Sequence, residues 1–332
     1  MKNVLFATTA LVAFAGAASA ASHGGTPAFG WAGDVEVGYA DSQNGFYVDG
    51  GFDLTMTTAL DNGVTVEVTY GFDLYGAQTH SELIGDDFPT LVITTNLLTF
   101  TAGTVESAGA DNYSAVDGMD GTTGFFEENG EFVVRLDASF GDIAVALSGV
   151  ATNEQLGGGI GTLSLGASGT FGSVAFGVGY DDGGDAGVNV GVTFGSISVD
   201  LAYQAGGNES SIGIGLGATV GSIDLAAYYA LNSAAASADA FGVSADATFG
   251  ATTVGAYYKS KASGVTHYGV TAEMAVNDAI TAGASYDSVD SYEVYLTMDI
   301  GNGAEVGAAY SDIAANGGDY DTGINVWFSA EF

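Results

Sequence analysis

Polar and apolar residues alternate with a period of two along most of the chain. In residues 196–203, Ile197, Val199, Leu201 and Tyr203 share one face of an extended strand, while Ser198, Asp200 and Ala202 share the other. The same period sets Val64, Val66, Val68 and Tyr70 against Thr65, Glu67 and Thr69, and Ile223, Leu225, Ala227 and Tyr229 against Asp224, Ala226 and Tyr228. A helical period would mix these classes on one face, so the pattern predicts β-strands. Phe140-Gly141, Phe171-Gly172, Phe194-Gly195 and Phe249-Gly250 each end one run and open the next within about two residues, as tight hairpins do. Short turns of this kind recur near Asp61, Asn96, Gly141, Gly172, Gly195, Gly221, Gly250, Asn277 and Gly301, and together they imply twenty strands running up and down. The opposite connections, such as Asp181 to Asp185 and Gly206 to Ser210, are slightly longer and polar.

Each strand taken singly fits a soluble sandwich as well as a membrane barrel. Two further features favour the barrel. Phe140, Phe171, Phe194 and Phe249 mark the short-turn end of the apolar face, and Tyr39, Tyr180, Tyr203, Tyr229, Tyr258, Tyr286 and Tyr310 mark the other. Two aromatic bands separated by about 25 Å of aliphatic residues suit the two headgroup boundaries of a bilayer. Lys2 and the apolar stretch Val4 to Ala18, followed by the small residues Ala18-Ser19-Ala20, read as a signal peptide covering residues 1–20 and cleaved before Ala21. Beyond it no apolar stretch approaches the ~18 residues of a spanning helix. The reading is therefore all-β: a transmembrane antiparallel up-and-down β-barrel over residues 21–332.

Composition narrows the function. The 332 residues include 53 Gly and no Cys, and 40 Asp and Glu face 4 Lys and Arg, a formal charge of −36. Nucleic acid as a partner is excluded, because displacing its counterions takes many basic residues. Disulfides and thiolate metal sites are excluded too. The three histidines, at 23, 80 and 267, are dispersed without a Ser/Asp constellation or zinc spacing, so no catalytic residue and no required cofactor are expected.

The leader-like start Met1 to Ala20, the segment Arg135-Leu136-Asp137-Ala138-Ser139-Phe140-Gly141-Asp142 after a long loop, and an alternating last strand ending at Phe332 resemble the general porins of alphaproteobacteria. The resemblance implies an outer-membrane location in contact with lipid, passive diffusion of small hydrophilic solutes and ions, and homotrimers of sixteen-stranded barrels whose long third loop folds into the lumen. The hairpins favour twenty strands and the resemblance sixteen, so the expected number lies between 16 and 20.

The stretch at about 104–130 lacks alternation and is far longer than the other connections, as functional loops are. It carries Glu106, Asp111, Asp117, Asp120, Glu127 and Glu128. Immediately after it, strand phase turns Arg135 and Asp137 toward the lumen, and the resemblance sets Arg135 on the pore wall opposite the inward loop. Lys259 and Lys261 share the polar phase of a later strand. The same phase assigns Asp53, Glu67, Asp73, Asp200, Asp224, Asp246, Glu273, Glu293 and Glu305 to the lumen, since a lipid-facing charge costs about 2–4 kcal/mol near the midplane. A bore lined in this way concentrates cations. Gly177, Gly179, Ala202 and Ala226 on that phase suggest open space inside the wall. Asp181, Asp182 and Asp185 are candidate oxygen ligands for a structural Ca²⁺. The competing function is a Ca-binding secreted or surface-anchored β-rich adhesin without channel activity, but its nonapeptide repeat is absent and this chain repeats at hairpin spacing.

Overall fold

The computed structural model describes residues 27–42, 45–60, 63–73, 89–119, 132–151, 159–207, 209–233, 239–288, 291–312 and 322–332. Twenty antiparallel strands follow one another: β1 (Ala28–Ala40), β2 (Gly45–Ala59), β3 (Thr65–Asp73), β4 (Thr90–Thr94), β5 (Leu98–Gly103), β6 (Val133–Phe140), β7 (Ile143–Ala151), β8 (Ile160–Phe171), β9 (Val174–Asp181), β10 (Ala186–Phe194), β11 (Ile197–Gly206), β12 (Glu209–Val220), β13 (Ile223–Asn232), β14 (Ala240–Phe249), β15 (Thr252–Ser260), β16 (Thr266–Asn277), β17 (Ile280–Asp287), β18 (Ser291–Gly301), β19 (Ala304–Asp312) and β20 (Gly323–Glu331). Each pairs with its sequence neighbours, and β1 pairs with β20 from Asp34↔Glu331 to Ala40↔Asn325, which closes the barrel. The sixteen strands implied by the resemblance are corrected to twenty, because every predicted short turn joins a paired hairpin.

Five of those turns place glycine first. Gly141, Gly172, Gly195, Gly221 and Gly250 have φ of 62–66°, a region that L side chains rarely adopt and that lets a two-residue hairpin follow the strand twist. The last residue completes the seam: Phe332 exchanges two backbone hydrogen bonds of 2.8 Å with Gly33, and its ring lies 5.3 Å from that of Trp31. At the opposite end of the same seam, Asp41 Oδ2 accepts from the Ile324 N–H at 3.0 Å and its Oδ1 accepts from the Tyr39 hydroxyl at 2.9 Å.

Register fixes two faces all the way round. Leu165, Leu201, Val243 and Val270 belong to the outer face, each at least half exposed. Between the strand ends that face carries no charged side chain among the described residues. Hydrocarbon is the solvent this surface fits. Phe140, Phe171, Phe194 and Phe249 are 62–67% exposed at the short-turn rim, and Tyr180, Tyr203, Tyr229, Tyr258, Tyr286 and Tyr310 are exposed near the other.

Candidate constriction site

The inner face is the one that receives the segment following β5. After Gly103 the chain turns inward, and Ser107 caps a short helix, α1 (Ala108–Asn112), by accepting from the Ala110 N–H. This turn of helix lies where the alternation pattern indicated a loop. From there residues 108–118 form a strap across eight strands. The N–H groups of Ala108 and Gly109 donate to Ser148 Oγ on β7 and Ser164 Oγ on β8, each at 2.8 Å. Asn112 Oδ1 accepts from Ser168 Oγ at 2.7 Å, the Ser114 N–H donates to Asn189 on β10, and the Tyr113 hydroxyl donates to Gln204 on β11. Asn232 on β13 donates to the Gly118 carbonyl at 3.1 Å. Burial pushes the Tyr113 hydroxyl well above its ordinary pKa, so it remains a donor.

Small residues make room for this strap. A side chain on Gly166 would strike the Ala108 carbonyl, one on Gly177 the Asn112 carbonyl, and one on Gly213 the side chains of Val116 and Met119. Gly177 was expected to leave open space; instead it seats the strap.

Arg135 on β6 ties the near end of the strap to the wall. Its Nη2 donates to Asp111 Oδ2 at 2.5 Å, its Nε to Asp137 Oδ1 at 2.8 Å and its Nη1 to the Glu106 carbonyl at 3.4 Å. The Arg135 side chain is 16% exposed and Asp111 43%, so the guanidinium is shielded while one carboxylate stays on the bore. Glu106 and Asp117 are also exposed on the strap. Asp120, Glu127 and Glu128 lie outside the described residues, as do His23, His80 and the leader 1–20.

The wall residues follow the register. Asp53 lies opposite Gly71 on the face that holds Glu67 and Asp73, and Thr57 donates to Glu67 at 3.0 Å. Asp200, Asp224 and Asp246 lie on the inner phase of β11, β13 and β14, with Asp224 directly opposite Asp246. Glu273, Glu293 and Glu305 hold the same phase on β16, β18 and β19. Asp181, Asp182 and Asp185 serve a turn: Asp181 Oδ1 accepts from the Asp185 N–H and Asp182 Oδ1 from the Leu163 N–H. Burial, then the Asp181 charge, raises the Asp185 pKa. Among the described residues no group of three acidic or His side chains is gathered to hold a metal ion.

Five aromatics stand on the inner face, and of these the alternation pattern sets only Tyr228 on the polar phase. Tyr47, Tyr228, Tyr257, Tyr295 and Trp327 each stand opposite a glycine, respectively Gly38, Gly242, Gly269, Gly283 and Gly307, and lie over it so closely that any side chain there would collide. Their signal in the sequence is an aromatic on the polar phase, as Tyr228 is beside Asp224 and Ala226. His267 is on the inner phase but only 6% exposed, with Nδ1 3.3 Å from Asp287 Oδ1.

A model of the Gram-negative porin family matches residues 7–291, well over half of the chain. The chain belongs to the Gram-negative porin family. As a porin it is an outer-membrane channel protein, of a family whose members are non-enzymatic channels. Solved structures of Rhodopseudomonas blastica porin variants are similar to it at 14% and 15% identity with a TM-score of 0.47, and a triple variant at 16% with 0.44. Each match covers 92% of this porin and 100% of the other chain. No curated protein sequence matches.

Proposed function

We propose that this porin is a passive diffusion channel for small hydrophilic solutes and ions, that it prefers cations, and that the strap at residues 104–119 narrows its bore. The observation that carries the reading is the imbalance of accessible charge on the inner face. Carboxylates recur on β2, β3, β11, β13, β14, β16 and β19, whereas Arg135 is spent on Asp111 and Asp137. The remaining basic side chains of the wall, Lys259 and Lys261, are confined to β15 and the turn after it. Fixed negative charge on a water-filled passage raises the local concentration of cations and lowers that of anions over roughly a Debye length, ~8–10 Å at moderate salt.

Planar-bilayer reconstitution of the purified protein in a KCl gradient tests this directly. The reversal potential should take the sign set by K⁺; a sign set by Cl⁻ overturns the reading. Export through cleavage of residues 1–20 and assembly as a homotrimer belong to the same proposal, resting on the leader composition and on the resemblance. Amino-terminal sequencing of the membrane-inserted protein and the mass of its detergent-solubilised form test them separately.

A further inference from the structure

Four strands of the inner wall, β15 to β18, carry one constellation twice. Tyr257 on β15 stands opposite Gly269 on β16, which stands opposite Asp287 on β17; the Tyr257 hydroxyl reaches over the glycine and donates to Asp287 Oδ2. From the other side, Tyr295 on β18 stands opposite Gly283 on β17, which stands opposite Glu273 on β16; the Tyr295 hydroxyl donates to Glu273 Oε2 at 2.6 Å. An approximate two-fold axis through the Thr271↔Ser285 pair relates the copies, carrying Gly269 onto Gly283 and Glu273 onto Asp287. In each, the ring lies against glycine backbone and is held there by its own hydrogen bond to a carboxylate.

The copies differ in what surrounds them. Lys259 places its ammonium Nζ 4.8 Å from the centroid of the Tyr257 ring, and His267, the residue opposite Lys259, lies against Asp287. The two-fold axis carries Lys259 onto Thr297 and His267 onto Thr281, which are likewise opposite one another. The second copy therefore has the ring, the carboxylate and two hydroxyls, but neither basic residue. Glu273 is exposed, and among the described residues no salt bridge reaches it.

We propose that Tyr295, Glu273 and Thr297 form a subsite on the bore wall for the primary ammonium group of a passing solute, in the place that Lys259 fills in the sister copy. Small amines and amino-bearing metabolites are the solute class. The ring offers its quadrupole to the cation, Glu273 supplies the opposite charge, and the hydroxyls accept the remaining N–H bonds. An inorganic cation has no such donors and gains less. The proposal rests on the reading that solutes traverse this bore.

The probe is n-butylammonium chloride, which copies the end of a lysine side chain, titrated against the K⁺ current of the full-length protein in planar bilayers. The wild type should show a saturable reduction of current. Glu273→Gln and Tyr295→Leu should each raise the half-blocking concentration by about three- to tenfold, the range of one cation–π contact or one charge near a surface. Lys259→Ala, which empties the sister copy, should lower it. If Tyr295→Leu does not insert, Tyr295→Phe, which keeps the ring and loses only the hydroxyl, should give a smaller rise. Unchanged block in Glu273→Gln overturns the proposal. So does a shift in Glu273→Gln with none in either Tyr295 variant, since a general field needs no ring, and so does a Lys259→Ala titration that matches the wild type. The KCl reversal potential of the same channels separates the two readings: anion preference overturns the diffusion reading, whereas cation preference with a block insensitive to Glu273→Gln overturns only this subsite.

Discussion

Replacing Gly166 tests whether the strap sets the width of the bore. Gly166 faces inward on β8 under the Ala108 carbonyl and the Asn112 side-chain amide, and a Cβ there already overlaps the carbonyl. Gly166→Val adds three carbons at that point, and overpacking of this kind costs about 1–3 kcal/mol. Against it stand the nearest tethers: the bonds of Ala108 and Gly109 to Ser148 and Ser164, Asn112 to Ser168, and Asp111 to Arg135. At about 1 kcal/mol net for each neutral bond and somewhat more for the charged one, these outweigh the clash. The single variant should therefore displace the strap yet leave it attached. Adding Ser148→Ala and Ser164→Ala orphans two buried N–H groups at about 1–3 kcal/mol each and reverses the balance. Single-channel conductance should rise slightly in Gly166→Val and by a clear step in the triple variant. The barrel should persist in both, because the wall's own ladder is untouched. A correctly inserted triple variant with wild-type conductance would refute the argument.

Two further predictions concern charge. Arg135→Gln leaves Asp111 and Asp137 uncompensated on the bore while the strap keeps its tethers to Ser148, Ser164 and Ser168, so the K⁺/Cl⁻ permeability ratio should rise; a fall in the ratio, read from the reversal potential, contradicts the assignment of Arg135 as a shielded charge. Asp41, in the connection after β1, has its pKa lowered by the Ile324 N–H and then by the Tyr39 hydroxyl. A depressed carboxylate contributes stability that is present above its unfolded value and lost as pH falls through the folded one. Asp41→Ala should therefore lower the melting temperature at neutral pH and match the wild type in acid, and an equal deficit at both would exclude this linkage.

Much of the wall could be read from the sequence because a barrel strand has one variable to specify, which face each residue takes. The alternation around Leu201, the Phe-Gly turns and the outer tyrosines all follow from that variable, and the register reproduces them. The inner surface resisted for the same reason. Phase says that Gly177 and Gly283 point inward, but not that Asn112 lies on one and Tyr295 on the other, because the first contact depends on where the strap docks and the second on the exact register of the β17–β18 hairpin. Arg135 was placed on the wall by phase, whereas its pairing with Asp111 depends on where the strap docks. Tyr228 follows from phase, but Tyr47, Tyr257, Tyr295 and Trp327 do not follow from the preference of aromatic rings for the headgroup boundary, which holds only on the face in contact with lipid.

Glycine on the inner wall thus creates seats, and the strap and the rings fill them. The consequence for selectivity follows from size. Twenty strands spaced ~4.8 Å apart and tilted about 40° close into a cylinder of roughly 20 Å backbone radius. That exceeds the Debye length of ~8–10 Å at moderate salt, so the carboxylates of a bare wall would be largely screened at the axis. Glu106, Asp111 and Asp117 ride on the strap and bring negative charge inward from the wall. The variant that releases the strap should therefore conduct more and discriminate less, with its reversal potential moving toward zero in a KCl gradient. Higher conductance with unaltered discrimination would locate the preference in the wall carboxylates and deny the strap an electrostatic part.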